Sequence, residues 1–287
     1  MNTKGGRNDG LCNKNNGVKM PQLGYGVYQT PTEETESCVL TAIKNGYRSI
    51  DTAQAYGNEE GVGQAIVKCG LPREELFITT KIWISNAGYE KAKASIEESL
   101  KKLKTDYVDL LLIHQPFGDY YGTYRAMEEA YKAGKARAIG VSNFYPDRYI
   151  DIAHFAEVVP AVNQVETHVF QQQKVAREYL AKHNTQIMSW GPFAEGKNDF
   201  FNTPVLKEIG AKYGKSVAQV ALRFLLQNGV VVIPKSTHEE RMQENFNVFD
   251  FVLTDEEMKQ IEVLDTGKSL FFSHYSPETV EWFMSIV

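Results

Sequence analysis

Four side chains of this 287-residue sequence are of types that could move a proton together: Asp51, Tyr56, Lys81 and His114. Asp51 and Tyr56 share one stretch, Gly46-Tyr47-Arg48-Ser49-Ile50-Asp51-Thr52-Ala53-Gln54-Ala55-Tyr56-Gly57-Asn58-Glu59, in which a buried strand ending near Thr52 runs into a turn that opens a helix. A carboxylate, a phenol and a strand end therefore meet in one loop, although a plain strand-loop-helix join with a capping acid uses the same residue types. Lys81 follows Phe77-Ile78-Thr79-Thr80, part of a run expected to be largely buried, and an amine there needs either an ion pair, with Asp51 the candidate partner, or work as a Schiff-base nucleophile. His114 closes a second run, Leu110-Leu111-Leu112-Ile113, as a core histidine or as an acid-base group. Farther on, Lys235, the Ser236 hydroxyl and Arg241 surround the start of a helix. That combination suits a phosphate-like anion and is also compatible with a solvated helix cap.

These residues need elements to place them. From Gln22 onward, apolar strand-like runs alternate with amphipathic helical stretches, the pattern of βαβ units. The strand candidates are residues 23–28, 49–52, 76–82, 107–114, 136–142, 161–165, 186–190 and 230–234, and helical spacing runs through 34–44, 90–103, 122–133 and 172–182. Eight strands with helical crossovers select an α/β fold, a (β/α)8 TIM barrel, over an open doubly wound sheet, and the length suits a barrel of ~250 residues. In such a barrel the chemistry sits at the carboxyl ends of the strands, where Asp51, Lys81 and His114 end three in succession. Asn15-Asn16-Gly17 predicts a small hairpin between residues 11–13 and 18–20. Residues 1–13 read as an irregular amino-terminal segment and 14–287 as one domain. Two segments exceed the repeat: a Gly-, Asn- and Phe-containing loop at 193–202, and residues 253–275, a helix capped by Thr254 and followed by an aromatic tail.

Composition narrows the partners. Hydrophobic residues make up 43% of the chain, and no apolar run approaches the ~20 residues of a membrane span. The polar first residues fit neither a signal peptide nor an anchor, which points to the cytoplasm. Cys12, Cys38 and Cys69 are widely spaced and read as reduced thiols, with neither a disulfide framework nor a metal site. A net charge of −5 without a basic block argues against nucleic acid and leaves a small molecule as the expected partner.

Gly-Tyr-Arg-x-Ile-Asp-Thr-Ala-x-x-Tyr-Gly-Asn-Glu resembles the first signature of the aldo-keto reductases, and the resemblance extends from about Val18 to Asp265. It implies that Asp51, Tyr56, Lys81 and His114 form the family's catalytic tetrad, with Lys81 pulling the Tyr56 phenol below its ordinary pKa of ~10. Lys235-Ser236-x-x-x-x-Arg241-x-x-Glu244-Asn245 is similar to the family's adenosine site. It implies NADPH as cofactor, with Lys235, Ser236 and Arg241 at the 2′-phosphate, Glu244 and Asn245 at the adenine, and Thr237 among the cofactor contacts. Ser142 and Asn143 in Gly140-Val141-Ser142-Asn143-Phe144, with Gln164, match the residues that hold the nicotinamide carboxamide. Trp190 stands where the family usually stacks a Tyr on that ring. Gly26, Val27, Tyr28, Gly191 and Phe193 complete the expected cofactor contacts.

The reaction so implied is hydride transfer to an aldehyde or ketone, with Tyr56 as general acid and His114 orienting the carbonyl. Tyr28, Trp83, His114, Phe117 and the tail 270–274, with Phe271 and Phe272, are expected to line the substrate pocket. Gln115 stands where many relatives have Trp, which predicts a more polar wall. A monomer is expected. The competing readings are a non-catalytic NADPH-binding sensor or regulatory subunit, like the potassium-channel β-subunits, and a barrel aldolase using Lys81.

Overall fold

The structure, a computed structural model, describes residues 11–13 and 15–287. The predicted hairpin is present: β1 (Leu11–Asn13) pairs antiparallel with β2 (Lys19–Pro21), one residue later than the 18–20 range, so three residues of the amino-terminal segment belong to it. Then follow β3 (Tyr25–Gly26), α1 (Thr32–Lys44), β4 (Ser49–Asp51), α2 (Glu59–Lys68), β5 (Phe77–Ile82), α3 (Tyr89–Leu103), β6 (Leu110–Ile113) and α4 (Tyr120–Lys132). The alternation continues with β7 (Ile139–Ser142), α5 (Pro146–Phe155), β8 (Val162–Glu166), α6 (Lys174–Lys182), β9 (Gln186–Trp190), α7 (Pro204–Tyr213), α8 (Val217–Gln227), β10 (Val231–Val232) and α9 (Glu239–Phe246). Two further helices, α10 (Asp255–Glu262) and α11 (Pro277–Ser285), end the chain.

The strands β3 to β10 form one parallel sheet in sequence order. A bridge from Leu23 to Val232 joins its two edges, with Gly24 N–H donating to the Val232 carbonyl at 2.8 Å and Val232 N–H to the Gln22 carbonyl at 2.8 Å. The sheet is thus a closed barrel, as the alternation predicts. At this seam the strands are far shorter than the predicted 23–28 and 230–234. Pro234 has no N–H to continue the ladder, and Gly26 is needed for close approach: a Cβ there would lie 2.8 Å from the Ile233 carbonyl oxygen.

Side chains alternate across each strand, and that parity selects what faces the barrel axis. In β6, Leu110 and Leu112 join an interior cluster with Phe77, Val162, Met188 and Val231, whereas Leu111 and Ile113 pack outward in the cluster shared with the helices. The inward parity continues to the strand ends as Asp51, Lys81, His114, Ser142, Gln164 and Trp190. At the opposite end the buried Met20 of β2 closes the interior cluster. The hairpin turn is pinned by Asn15 Nδ2 to the Pro160 carbonyl at 3.2 Å and Asn16 Nδ2 to the Arg137 carbonyl at 3.0 Å.

Beyond the barrel, α10 carries the predicted cap, Thr254 and Glu257 bonding each other's backbone N–H. Helix α11 lies past the predicted 253–275 extension. Its start, Ser276 accepting from Thr279 N–H with Pro277 at the first helical position, is a cap signal that the aromatic tail before it masks. Among the described residues no helix is long and apolar enough to cross a membrane.

Candidate active site

Lys81 is fully buried at the end of β5, and each of its three ammonium hydrogens has an acceptor. Nζ lies 2.5 Å from Asp51 Oδ1, 3.0 Å from the Thr52 carbonyl and 3.2 Å from the Tyr56 hydroxyl. The phenol oxygen therefore accepts from Lys81 and keeps its own O–H to donate into the cleft. Tyr56 sits on a 3-10 turn, Gln54–Tyr56, right after β4. The loop is stapled by the buried Asn58, whose Oδ1 accepts from Thr52 Oγ1 at 2.8 Å and whose Nδ2 donates to the Val27 carbonyl at 2.9 Å. Gln54 Oε1 accepts from Trp83 N–H at 2.9 Å and fixes the next loop to the same turn. Sequence reasoning took Asn58 for a turn residue and gave Gln54 no role. Its polar types beside the tetrad were the signal available.

The His114 ring stands edge-on to Tyr56, with centroids 5.6 Å apart, and to Trp83 at 5.1 Å. Burial pushes the His114 pKa well below its ordinary value, and the charge of Lys81 adds to this, so the imidazole is neutral at neutral pH. Its buried Nδ1 has no hydrogen-bond partner among the described residues. Burial alone would lower the Lys81 pKa, but Asp51 and Tyr56 outweigh it and the net direction is up. The Tyr56 pKa is also raised: burial dominates, Lys81 opposes it and Asp51 adds to it. The expectation that Lys81 brings the phenol below its ordinary value is not met here, because desolvation outweighs the cation. A phenol held protonated is the form an acid requires.

Gln164 links the tetrad to the neighbouring strands. Its Nε2 donates to Asp51 Oδ2 at 2.8 Å and to Met188 Sδ at 3.3 Å. Ser142 Oγ donates to the Gln164 carbonyl at 2.8 Å, and Asn143 Nδ2 donates to the His114 carbonyl at 3.0 Å and to Ser142 Oγ at 3.2 Å. Trp190 Nε1 donates to Asn143 Oδ1 at 2.8 Å, so the indole is tied to that same residue. The predicted carboxamide set is thereby gathered in one hydrogen-bonded group beside Asp51. Gly191, at φ +62°, then turns the chain into the 193–202 loop, where Phe193 packs on Phe200.

At the seam, Lys235 and Arg241 are exposed and make no hydrogen bond or ion pair with any described residue. Ser236 Oγ accepts from His238 N–H at 3.0 Å, just ahead of α9, and Thr237 lies between them, partly exposed. Glu244 has one oxygen committed to Ser216 Oγ, the cap of α8, and Asn245 is buried next to it. Val27 is buried, with its N–H donating to the Asp51 carbonyl at 3.1 Å and its carbonyl taken by Asn58. Tyr28 is 52% exposed and leans on Tyr56 at 5.0 Å, so it reaches the cleft.

The substrate side differs from expectation in three places. Phe117 is buried, covered by Phe283 of α11 at 5.4 Å, and backs the wall instead of facing the cleft. Gln115 does not make the wall polar: it is buried, and its Oε1 meets His274 Nε2 at 2.7 Å. His274 is likewise buried beneath the tail. Trp83, Phe271 and Phe272 remain partly open, with Phe272 edge-on to Phe283 at 5.5 Å. Among the described residues there is no group of three or more His, Cys, Asp or Glu that could hold a metal ion.

Known proteins resemble this chain in sequence and in fold. The sequence model of the aldo/keto reductase family matches residues 20–266. A glyoxal reductase of Bacillus subtilis is 50% identical over 253 residues, covering 87% of this chain and 91% of its own. A 9,11-endoperoxide prostaglandin H2 reductase of Trypanosoma cruzi is 47% identical over 267 residues, 90% of this chain and 94% of its own. The crystal structure of a Bombyx mori aldo-keto reductase in complex with NADP superposes with a TM-score of 0.86 at 34% identity, covering 90% of this chain and 93% of that one.

Proposed function

The chain belongs to the aldo/keto reductase family, and from that premise we propose that Tyr56 is the acid with which it turns aldehydes and ketones into alcohols at the expense of NADPH. It is an NADP(H)-dependent oxidoreductase of carbonyl groups, acting on a small molecule. The observation that carries the assignment is the Lys81 tripod, which leaves the Tyr56 O–H as the free donor in the cleft.

The residues present fit the cofactor. Both hydrogens of Gln164 Nε2 are committed within the protein, so its Oε1 is left to accept from the N–H of a carboxamide. Lys235 and Arg241, without a partner among the described residues and close to the start of α9, suit the 2′-phosphate. When bound, the reduced nicotinamide supplies the hydride. Tyr56 gives its proton to the oxygen of the former carbonyl, and Lys81, held by Asp51, stabilises the phenolate left behind. Neutral His114 offers an N–H to the same oxygen and orients it. Trp190 gives the ring a face to stack on. We further read the protein as a cytoplasmic monomer without nucleic-acid or membrane partners, residues 14–287 forming one catalytic domain.

The test is turnover of a carbonyl panel with NADPH by the wild type and Tyr56→Phe. General acid catalysis is commonly worth ~10²–10⁴-fold, and the variant should lose that much kcat while its NADPH Kd stays nearly unchanged. Wild-type kcat in the variant removes Tyr56 from the mechanism. No turnover by the wild type on any member of the panel leaves a non-catalytic NADPH-binding subunit.

A further inference from the structure

After α10 the chain crosses the barrel mouth as a short strap, residues 269–274, which is fastened at both ends. At its start the buried Glu166, last residue of β8, accepts from Ser269 Oγ at 2.5 Å, from Leu270 N–H at 2.9 Å and from His168 Nε2 at 2.9 Å. At its end, His274 N–H donates to the Tyr145 hydroxyl at 3.2 Å, and the His274 side chain meets Gln115 Oε1 at 2.7 Å. An amide oxygen only accepts, so His274 is the donor through Nε2–H. Its ring is stacked between Phe117 and Phe283, each 5.8 Å away and within 25° of parallel. Gln115 directly follows His114, so the strap is tied to the stave that carries a tetrad residue.

Between the fastenings stand Phe271, edge-on to Trp190 at 5.1 Å, and Phe272, in contact with Trp190 and Phe283. With Tyr28 and Trp83, these rings are what a substrate larger than its own carbonyl group would meet in the cleft. Ordering them in advance removes a cost that binding would otherwise bear. We propose that Gln115 and His274 form a latch that holds this aromatic wall in place and so sets the enzyme's preference for aromatic over small aliphatic carbonyls. The proposal rests on the reductase reading, and both residues are positioning residues, acting through Phe271 and Phe272.

Phenylglyoxal and methylglyoxal carry the same reacting group and differ by one ring, so their comparison isolates the wall. His274→Phe keeps the stacked ring and loses the Nε2 bond to Gln115 and the 3.4 Å contact of Nδ1 with the Tyr145 hydroxyl; Gln115→Leu removes the acceptor; the double variant completes a cycle. The expected result is a wild-type preference for phenylglyoxal that falls tenfold or more in each single variant through KM. The double variant should fall little further, and kcat and NADPH Kd should stay unchanged in His274→Phe. Hydrogen exchange supplies a readout independent of turnover: the amides of residues 270–275 should lose protection in His274→Phe while those of the barrel strands keep theirs. Unchanged tail protection, additive losses in the double variant, or equal losses for both substrates overturns the latch. Tail amides that lose protection in a protein that reduces neither compound overturn the reductase reading and the assigned selectivity while confirming the clasp itself.

Discussion

Two buried histidines make acid stability a direct report on the site. His114 has its pKa pushed well below the ordinary ~6.5, and burial, helped by the charge of Arg148, brings His274 down to about 4. For such groups the unfolded chain binds the proton more tightly than the folded one. The stability they contribute is therefore present above the unfolded pKa and lost as pH falls below it. Each pH unit of difference is worth about 1.4 kcal/mol. Between pH 7.5 and 5.5 each histidine should thus remove on the order of 1 kcal/mol of folding stability. Equilibrium urea unfolding at the two pH values measures this in the wild type, His114→Gln and His274→Gln. Contributions of the other histidines cancel in the comparison. Each variant should lose the share of the pH dependence that belongs to its own histidine, whatever its stability at pH 7.5. Wild-type pH dependence in His114→Gln would mean that His114 is charged or solvated in the folded state. That would refute its part as a neutral donor.

Two further outcomes follow from the cofactor residues. Charge-assisted bonds contribute ~1.5–3 kcal/mol each, so replacing Lys235 and Arg241 together by Ala should weaken NADPH binding by several kcal/mol and leave NADH nearly untouched; equal weakening of both cofactors counts against this phosphate site. In a background without Trp83 and Trp282, NADPH should quench Trp190 fluorescence, and Trp190→Leu should cost ~0.5–1.5 kcal/mol of binding; no quenching together with unchanged affinity would show that the indole faces elsewhere.

The barrel and its inward-facing ends were legible because both are periodic. Apolar runs fix the strands, and counting by two from Leu110 or Phe77 arrives at His114 or Lys81. The seam was not, since the lengths of β3 and β10 depend on how the two edges meet, which no local pattern encodes. Gln115 was misjudged for a related reason. Its partner lies 159 residues away, and a polar residue beside a pocket reads as pocket lining until that partner is placed. The direction of the Tyr56 shift depends on weighing burial, aided by Asp51, against the charge of Lys81. Sequence supplies the charge but not the burial.

The Lys81 tripod bears on how such an enzyme survives its own substrates. An amine condenses with an aldehyde only through a lone pair, and Lys81 has none to offer while Asp51 and Tyr56 hold its proton and the Thr52 carbonyl takes its third hydrogen. Reactive carbonyls entering the cleft meet an ammonium that is inert toward them, and the imine chemistry of a lysine aldolase is closed off by the same contacts. Exposed amines such as Lys235 lack these contacts, and if Lys235 holds the 2′-phosphate as proposed, an adduct there would weaken NADPH binding and leave the acid intact. Ageing of the protein in a carbonyl-rich solution should therefore appear first as a rising KM for NADPH.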